Sequence, residues 1–166
     1  MKNKLIYLSG ILDGEGWFSI QRTRRKNGEY NASYMPVLGV ANTDMRLMNW
    51  LQDNFDGKVV AVKNNPKMFG TKQRYEWRLA SGGTKKLLPQ VIPFLLLKKE
   101  QAKLLLEIGK LHSVSFRSVG VPKKISLKRE ELYLKLRKLN NTFHKITLLK
   151  ETTEGNPKRF PPSKEE

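Results

Sequence analysis

The chain is expected to fold as an α+β domain, with one four-stranded antiparallel sheet covered by helices on one side. Three observations point there. Hydrophobic spacing switches between a helical and an alternating period in the order helix, hairpin, helix, hairpin, helices. Each hairpin is divided by a polar segment rich in turn-forming residues. The length, 166 residues, suits a single hydrophobic core. Residues 1–141 are accordingly read as one domain. Residues 142–166 contain Glu151-Thr-Thr-Glu-Gly-Asn-Pro and Phe160-Pro-Pro-Ser-Lys-Glu-Glu, lose the apolar pattern and read as a flexible tail.

In the first element Leu5, Leu8 and Leu12 share a helical stripe with Ile11 beside it, and Gly14 and Gly16 stop the helix. Trp17 to Thr23 is rich in strand formers, Lys26-Asn27-Gly28-Glu29 supplies a turn, and Tyr34 to Val40 returns. Asn42-Thr43-Asp44 can cap a helix carrying Leu47, Trp50 and Leu51, which Asp56-Gly57 ends. The second hairpin pairs Lys58–Lys63 with Gln73–Ala80 across a loop containing Asn64, Asn65, Pro66 and Gly70. Ser81-Gly82-Gly83-Thr84 then breaks the strand and caps another helix. Phe94 to Leu97 leads into a helix with Leu104, Leu105, Ile108 and Leu111, and Gly120-Val121-Pro122 precedes a last helix near Leu127 to Leu139. No internal repeat supplies a second, pseudo-symmetric half.

Lys and Arg number 32 against 15 Asp and Glu, a formal charge of +17, so the chain is drawn to polyanions and nucleic acid is the leading partner. A generally basic soluble protein, or one resting on acidic membrane, has the same balance. No apolar run approaches the roughly 20 residues of a membrane span; Phe94 to Leu97 is broken by Lys98 and Lys99. Asp13 and Glu15 fall where the cleavage region of a signal peptide would lie, so the N-terminal apolar stretch is read as part of the fold. The lack of cysteine excludes disulfides, zinc fingers and thiol nucleophiles and fits an intracellular protein, the host compartment being left open. His112 and His144 have no partner at metal-ligand spacing.

Gly10 and Gly14, four residues apart with Ser9 adjacent, leave a strip of the first helix without bulky side chains, on which another backbone can approach. With one such helix in the chain, its natural partner is a second copy related by a two-fold axis, giving a homodimer with Leu8, Ser9, Gly10, Ile11 and Asp13 at the interface. Asp13 and Glu15 of both copies would then meet near the axis, which is costly unless a cation lies between them. Carboxylates suit magnesium, which assists phosphodiester hydrolysis. Taken alone, Asp-Gly-Glu-Gly reads more readily as a solvated helix end that solubilises a turn.

The nonapeptide Leu8-Ser9-Gly10-Ile11-Leu12-Asp13-Gly14-Glu15-Gly16 resembles the LAGLIDADG motif of homing endonucleases, with Ser for the first Ala, Ile-Leu for Leu-Ile, Gly for the second Ala and Glu for the last Asp. The similarity extends over roughly residues 4–140, through Val40-Ala-Asn-Thr-Asp and Pro93-Phe94-Leu-Leu-Leu-Lys98-Lys-Glu-Gln101-Ala102. The resemblance implies an αββαββα fold with a saddle-shaped sheet. It implies that Glu15 binds Mg2+, for which other divalent cations can substitute, and that the Gly14 carbonyl also faces the metal. By the same resemblance Asn42 orders the water pocket, Lys98 stands near the scissile phosphate, and Asp13 ties down the helix end or the interface. The implied activity is a double-strand cut in a long, nearly palindromic DNA site, leaving short 3′ overhangs and promoting intron homing. A maturase acting on intron RNA and a non-cleaving DNA-binding protein of the same fold are the alternatives.

The sheet face away from the helices is expected in the DNA major groove, which admits a β-ribbon. If Phe18, Ile20, Tyr34, Leu38 and Val40 face the helices, then Ser19, Gln21, Thr23, Ser33 and Met35 face outward, with Arg25 near the hairpin tip. If Tyr75, Trp77 and Leu79 pack inward, Arg74, Glu76 and Arg78 face outward. A solvated sheet face alternates in the same way. Val59 to Val62 is ambiguous, because either face is apolar. Lys103, Lys110, Arg117, Lys123, Lys124, Lys128 and Arg129 are expected to contact phosphates or to add long-range attraction.

Overall fold

The structure, a computed structural model, describes residues 1–23, 32–63, 72–112 and 121–153. The elements are α1 (Lys2–Gly14), β1 (Gly16–Thr23), β2 (Ser33–Asn42), α2 (Met45–Phe55), β3 (Lys58–Val62), β4 (Arg74–Ala80), α3 (Ser81–Val91), a 3-10 turn (Ile92–Phe94), α4 (Lys99–His112) and α5 (Lys123–Thr153). The strands form one antiparallel sheet in the order β1-β2-β4-β3. Both turn segments, Lys26 to Glu29 and Asn64 to Gly70, lie outside the described residues.

Pairing places Phe18 opposite Leu38, Leu38 opposite Leu79, Val40 opposite Trp77 and Val59 opposite Trp77. Alternation then puts these side chains on one face. Phe18, Ile20, Tyr34, Leu38, Val40, Trp77 and Leu79 are all buried there, against Leu12 of α1, Met48 and Leu51 of α2, Leu88 of α3 and Leu105 of α4. Each fully buried side chain of this size contributes on the order of 2 kcal/mol to folding before the entropy cost is subtracted. The same register resolves the ambiguous third strand. Lys58, Val60 and Val62 oppose Arg78, Glu76 and Arg74 and therefore share the open face with them.

Local chemistry fixes where elements stop. Asp44 is the N-cap of α2: its carboxylate accepts from Arg46 N at 2.8 Å, and the Arg46 guanidinium with that backbone bond lowers its pKa to about 2. The helix ends in a left-handed pair, Asp56 with φ 58° and Gly57 with φ 94°. Trp77 Nε1 donates to the Asp56 carbonyl at 2.6 Å, and a Cβ on residue 57 would lie 2.7 Å from that nitrogen, so glycine is required there on two counts. At the start of α3 the expected Ser81-to-Thr84 cap is absent. Thr84 Oγ1 instead donates back to the Leu79 carbonyl at 2.6 Å.

The last helix crosses behind β1 and β2. Tyr34 Oη donates to Glu130, which also pairs with Arg22 at 3.0 Å, and Asn140 Nδ2 donates to the Phe18 carbonyl at 3.1 Å. One expectation is corrected on this helix. Arg129, expected among the phosphate contacts, is 5% exposed and donates to the Leu111 carbonyl at 2.6 Å. Its position three and seven residues before Leu132 and Leu136 puts it on their inward stripe. The backbone of this helix runs on to Thr153, past residue 142, and the sequence has no Gly or Pro between Lys123 and Gly155 to stop it. No helix of the described residues is long and apolar enough to cross a membrane.

Candidate active site and nucleic-acid interface

α1 ends where Glu15 N donates to the Ile11 carbonyl at 2.8 Å. This point collects the negative end of the helix dipole and two carboxylates, an arrangement that is unfavourable unless donors surround it. Three sets of donors do so. The Asp13 carboxylate accepts from Leu96 N at 2.7 Å, Leu97 N at 3.2 Å and Lys98 N at 2.9 Å, and so shapes the turn before α4. Lys98 Nζ returns from that turn to the carbonyls of Gly16 (2.7 Å), Leu12 (3.1 Å) and Gly14 (3.4 Å). Its half-burial pushes the ammonium below the usual lysine value, offset in part by the Asp13 charge.

The third donor is Asn42, at the end of β2. Its Oδ1 accepts from Asp44 N at 2.9 Å, which fixes the orientation of the amide. The Nδ2 is thereby turned to Glu15 Oε2, to which it donates at 2.5 Å. Asp44 in turn holds Arg46 through Nε and Nη2 at 2.6–3.1 Å. A chain of polar contacts therefore runs from Glu15 through Asn42 and Asp44 to an exposed arginine. Sequence reasoning brought Glu15, Gly14, Asn42 and Lys98 to one site and missed Arg46, whose signal is its place two residues after the capping Asp44. Within Asn42-Thr43-Asp44 the helix cap is Asp44, which leaves the Asn42 side chain to Glu15.

The donor set at this point is a carboxylate, Glu15, beside backbone carbonyls. Hard oxygen donors of this kind fit Mg2+ or Ca2+ and not a soft metal. No group of three or more His, Cys, Asp or Glu able to hold a metal exists among the described residues. The protomer's set is compatible with a divalent cation and is incomplete without further oxygens from a second copy, water or phosphate.

The dimer expectation needs correction in its residues. Leu8 is 0% and Ser9 1% exposed, and Ser9 Oγ donates to the Leu5 carbonyl at 2.7 Å, so both belong to the protomer's interior. Ile11 is half-buried against the core, and half-buried Asp13 is engaged by the Leu96 to Lys98 turn. The helical period puts residues 5, 8, 9 and 12 on one side and 3, 6, 7, 10 and 14 on the other. The outward face thus carries Ile6, Tyr7, Gly10 and Gly14, with Leu96 and Leu97 exposed beyond Asp13. Tyr7 is braced edge-on against Trp50, ring centroids 5.0 Å apart.

On the open sheet face the register places Ser19, Gln21 and Thr23 opposite Val37, Met35 and Ser33, all directed away from the helices. Gln21 and Thr23 are exposed; Ser19, Ser33 and Met35 are half-buried, and Arg25 lies outside the described residues, as does Arg117. Arg74, Glu76 and Arg78 share this face. Glu76 is largely covered, with its carboxylate bound by Arg78 at 2.6 and 2.8 Å and by Arg74 at 3.3 Å, so it is not a free base reader. Lys103 pairs with Glu100, and Lys128 with Glu107 and Glu131, so each already has an acidic partner at the surface. The face also carries Trp17, which sequence reasoning did not assign. A Cβ on Gly39 would lie 2.6 Å from the Trp17 ring and from the Trp77 carbonyl, so the indole lies directly on bare backbone.

Asp13→Ala removes the acceptor for three backbone N–H groups that water can partly replace. It is expected to cost about 2 kcal/mol of stability and to release Lys98 from its place. Chemical unfolding checks the first effect, and an unchanged midpoint would contradict the role given to this carboxylate.

The sequence profile of the LAGLIDADG endonuclease family matches residues 8–99. No curated protein matches the chain significantly. Among solved structures, the homing endonuclease I-CvuI in complex with its target, in the presence of calcium, is 22% identical, with 83% of this chain and 82% of that one covered at a TM-score of 0.66. An archaeal intron-encoded homing endonuclease complexed with DNA is 15% identical, covering 82% and 84% at a TM-score of 0.68. The homing endonuclease I-TnaI is 21% identical, covering 86% and 97% at a TM-score of 0.57. At these identities the likeness establishes a shared fold.

Proposed function

Since the chain belongs to the LAGLIDADG endonuclease family, we propose that it is a homodimeric homing endonuclease making a magnesium-dependent double-strand cut in a long, nearly palindromic DNA site. The observation that carries this reading is the convergence of Glu15, the Gly14 carbonyl, Asn42 and Lys98 at the end of a helix whose outward face is bare at Gly10 and Gly14. One protomer supplies half a metal site and half a helix pair. A second copy completes both and doubles the open sheet into a reading surface for two half-sites.

In this mechanism Glu15 and the Gly14 carbonyl of each copy would hold divalent metal. When bound, the cation supplies Lewis acidity and lowers the pKa of a bound water, the chemistry phosphodiester hydrolysis needs. Asn42 fixes the Glu15 carboxylate so that its free lone pairs are directed before substrate arrives. Lys98 brings positive charge to the strand being cut while restraining the end of α1, and Arg46, linked to Glu15 through Asp44 and Asn42, adds a second cation. Gln21, Thr23, Arg74 and Arg78 read base edges, and the +17 charge supplies phosphate attraction. The cut crosses the minor groove, leaves short 3′ overhangs and promotes homing of the intron that carries the gene.

Selection of cleaved molecules from a randomised duplex library, with Mg2+ and with chelator, tests the reading. The expected outcome is a nearly palindromic site cut on both strands only when metal is present. Binding to that site should weaken by roughly a thousandfold or more between 50 and 200 mM salt, for about six phosphate contacts. Persistent duplex or intron RNA binding without cleavage in any divalent metal would instead assign a non-cleaving or maturase role.

A further inference from the structure

The inward side of α4 is apolar except at one position. Ala102, Leu105 and Ile108 are fully buried, and Gln101 stands among them with 3% of its surface exposed. Gln101 Oε1 is buried and has no hydrogen-bond partner among the described residues. An unmet buried acceptor costs about 1–3 kcal/mol, a cost that a methionine of similar volume would not carry. Stability therefore gives no reason for glutamine here.

Its surroundings give one. Gln101 lines an open hollow of about 460 Å³ together with Asp13, Gly14, Gly16, Lys98 and Asn140. Asn140 is exposed, so its amide oxygen is open to solvent, while its amide nitrogen donates to the Phe18 carbonyl. The three N–H groups of the Lys98 ammonium are directed at three carbonyls, the longest bond being that to Gly14 at 3.4 Å. A divalent cation on the Gly14 carbonyl, as proposed above, repels an ammonium on the same oxygen. One N–H must then move, and three residues along the chain Gln101, which lines the same hollow, holds a buried acceptor without a partner among the described residues.

We propose that Gln101 is a positioning residue whose buried side-chain carbonyl receives the Lys98 ammonium when the Gly14 carbonyl turns to a divalent metal. The inference rests on the metal reading of Glu15 and Gly14 and adds a residue to it. Without this acceptor, Lys98 stays on Gly14 and competes with the cation. With it, the ammonium remains beside the phosphate, its hydrogen bonds intact.

Gln101→Met keeps the volume and removes the acceptor, and Gln101→Glu retains an oxygen at the same place. Three measurements apply: thermal unfolding of the metal-free protein, duplex affinity in chelator, and calorimetric Ca2+ affinity of the protein on its selected duplex. For Gln101→Met the unfolding midpoint is expected to equal or exceed that of the unaltered protein, and duplex affinity to be unchanged. Its Ca2+ affinity should weaken on the order of tenfold, the size expected for a group acting through a metal's neighbour. Gln101→Glu should restore most of that affinity. Equal Ca2+ affinity in Gln101→Met would overturn the proposal while leaving the metal reading in place. So would a lowered unfolding midpoint together with weaker duplex binding, which marks a packing role. If the unaltered protein on its duplex binds no Ca2+, the metal reading itself falls, and this inference with it.

Discussion

Glu15→Gln is expected to fold, dimerise and hold DNA normally, yet to cleave it about a thousandfold more slowly. Glu15 is exposed, and among the described residues its side-chain partner is the Asn42 amide, which an uncharged Gln oxygen can still accept from. Folding therefore loses little. What disappears is the negative charge of the less engaged carboxylate at the end of α1, because Asp13 is committed to three backbone N–H groups. A neutral amide is a much poorer ligand for a hard divalent cation, and a thousandfold loss corresponds to about 4 kcal/mol of transition-state stabilisation. Single-turnover cleavage and gel-shift binding in chelator separate the two effects. Cleavage within tenfold of the unaltered protein would remove Glu15 from the metal site. A parallel loss of DNA binding would make it a folding residue.

How far the sequence can be read depends on which physical signal carries each feature. Element order and sheet faces are legible because hydrophobic period is local: Phe18, Leu38 and Trp77 alternate as a half-buried sheet must, and they are buried as that pattern demands. Val59 to Val62 carries no such signal, since alternate residues are equally apolar, and only pairing with Arg74, Glu76 and Arg78 sets its face. The motif segment misleads for the opposite reason. Its residues are contiguous in sequence and read as one interface strip, whereas the helix divides them, burying Leu8 and Ser9 and exposing Gly10 and Gly14. The partners of Lys98 lie more than 80 residues away, and the orientation of Asn42 is set by a backbone N–H at Asp44. The unmet acceptor of Gln101 is equally a tertiary fact, since nothing in Lys98-Lys-Glu-Gln101-Ala102 distinguishes it from an ordinary polar residue.

The division of α1 into two faces makes the dimer separately testable. Nothing in the protomer lies within 4 Å of a Cβ built on Gly10, and the helix continues on both sides of it. Gly10→Leu should therefore stabilise an isolated protomer slightly, by something under about 1 kcal/mol of helix propensity. In a two-fold dimer each leucine is inserted once per copy into a contact that depends on close backbone approach. Overpacking of about 1–3 kcal/mol at each of the two sites weakens the dimer by roughly thirtyfold at least. Opposite signs for the two effects exclude misfolding as the explanation. The expected result is a sedimentation profile shifted to monomer at micromolar concentration, cooperative unfolding whose midpoint no longer rises with protein concentration, and loss of double-strand cleavage. A dimer of unaltered strength would place the contact on another surface, and the shared site at the end of α1 would then have to be completed within one protomer, where the described residues supply a single free carboxylate.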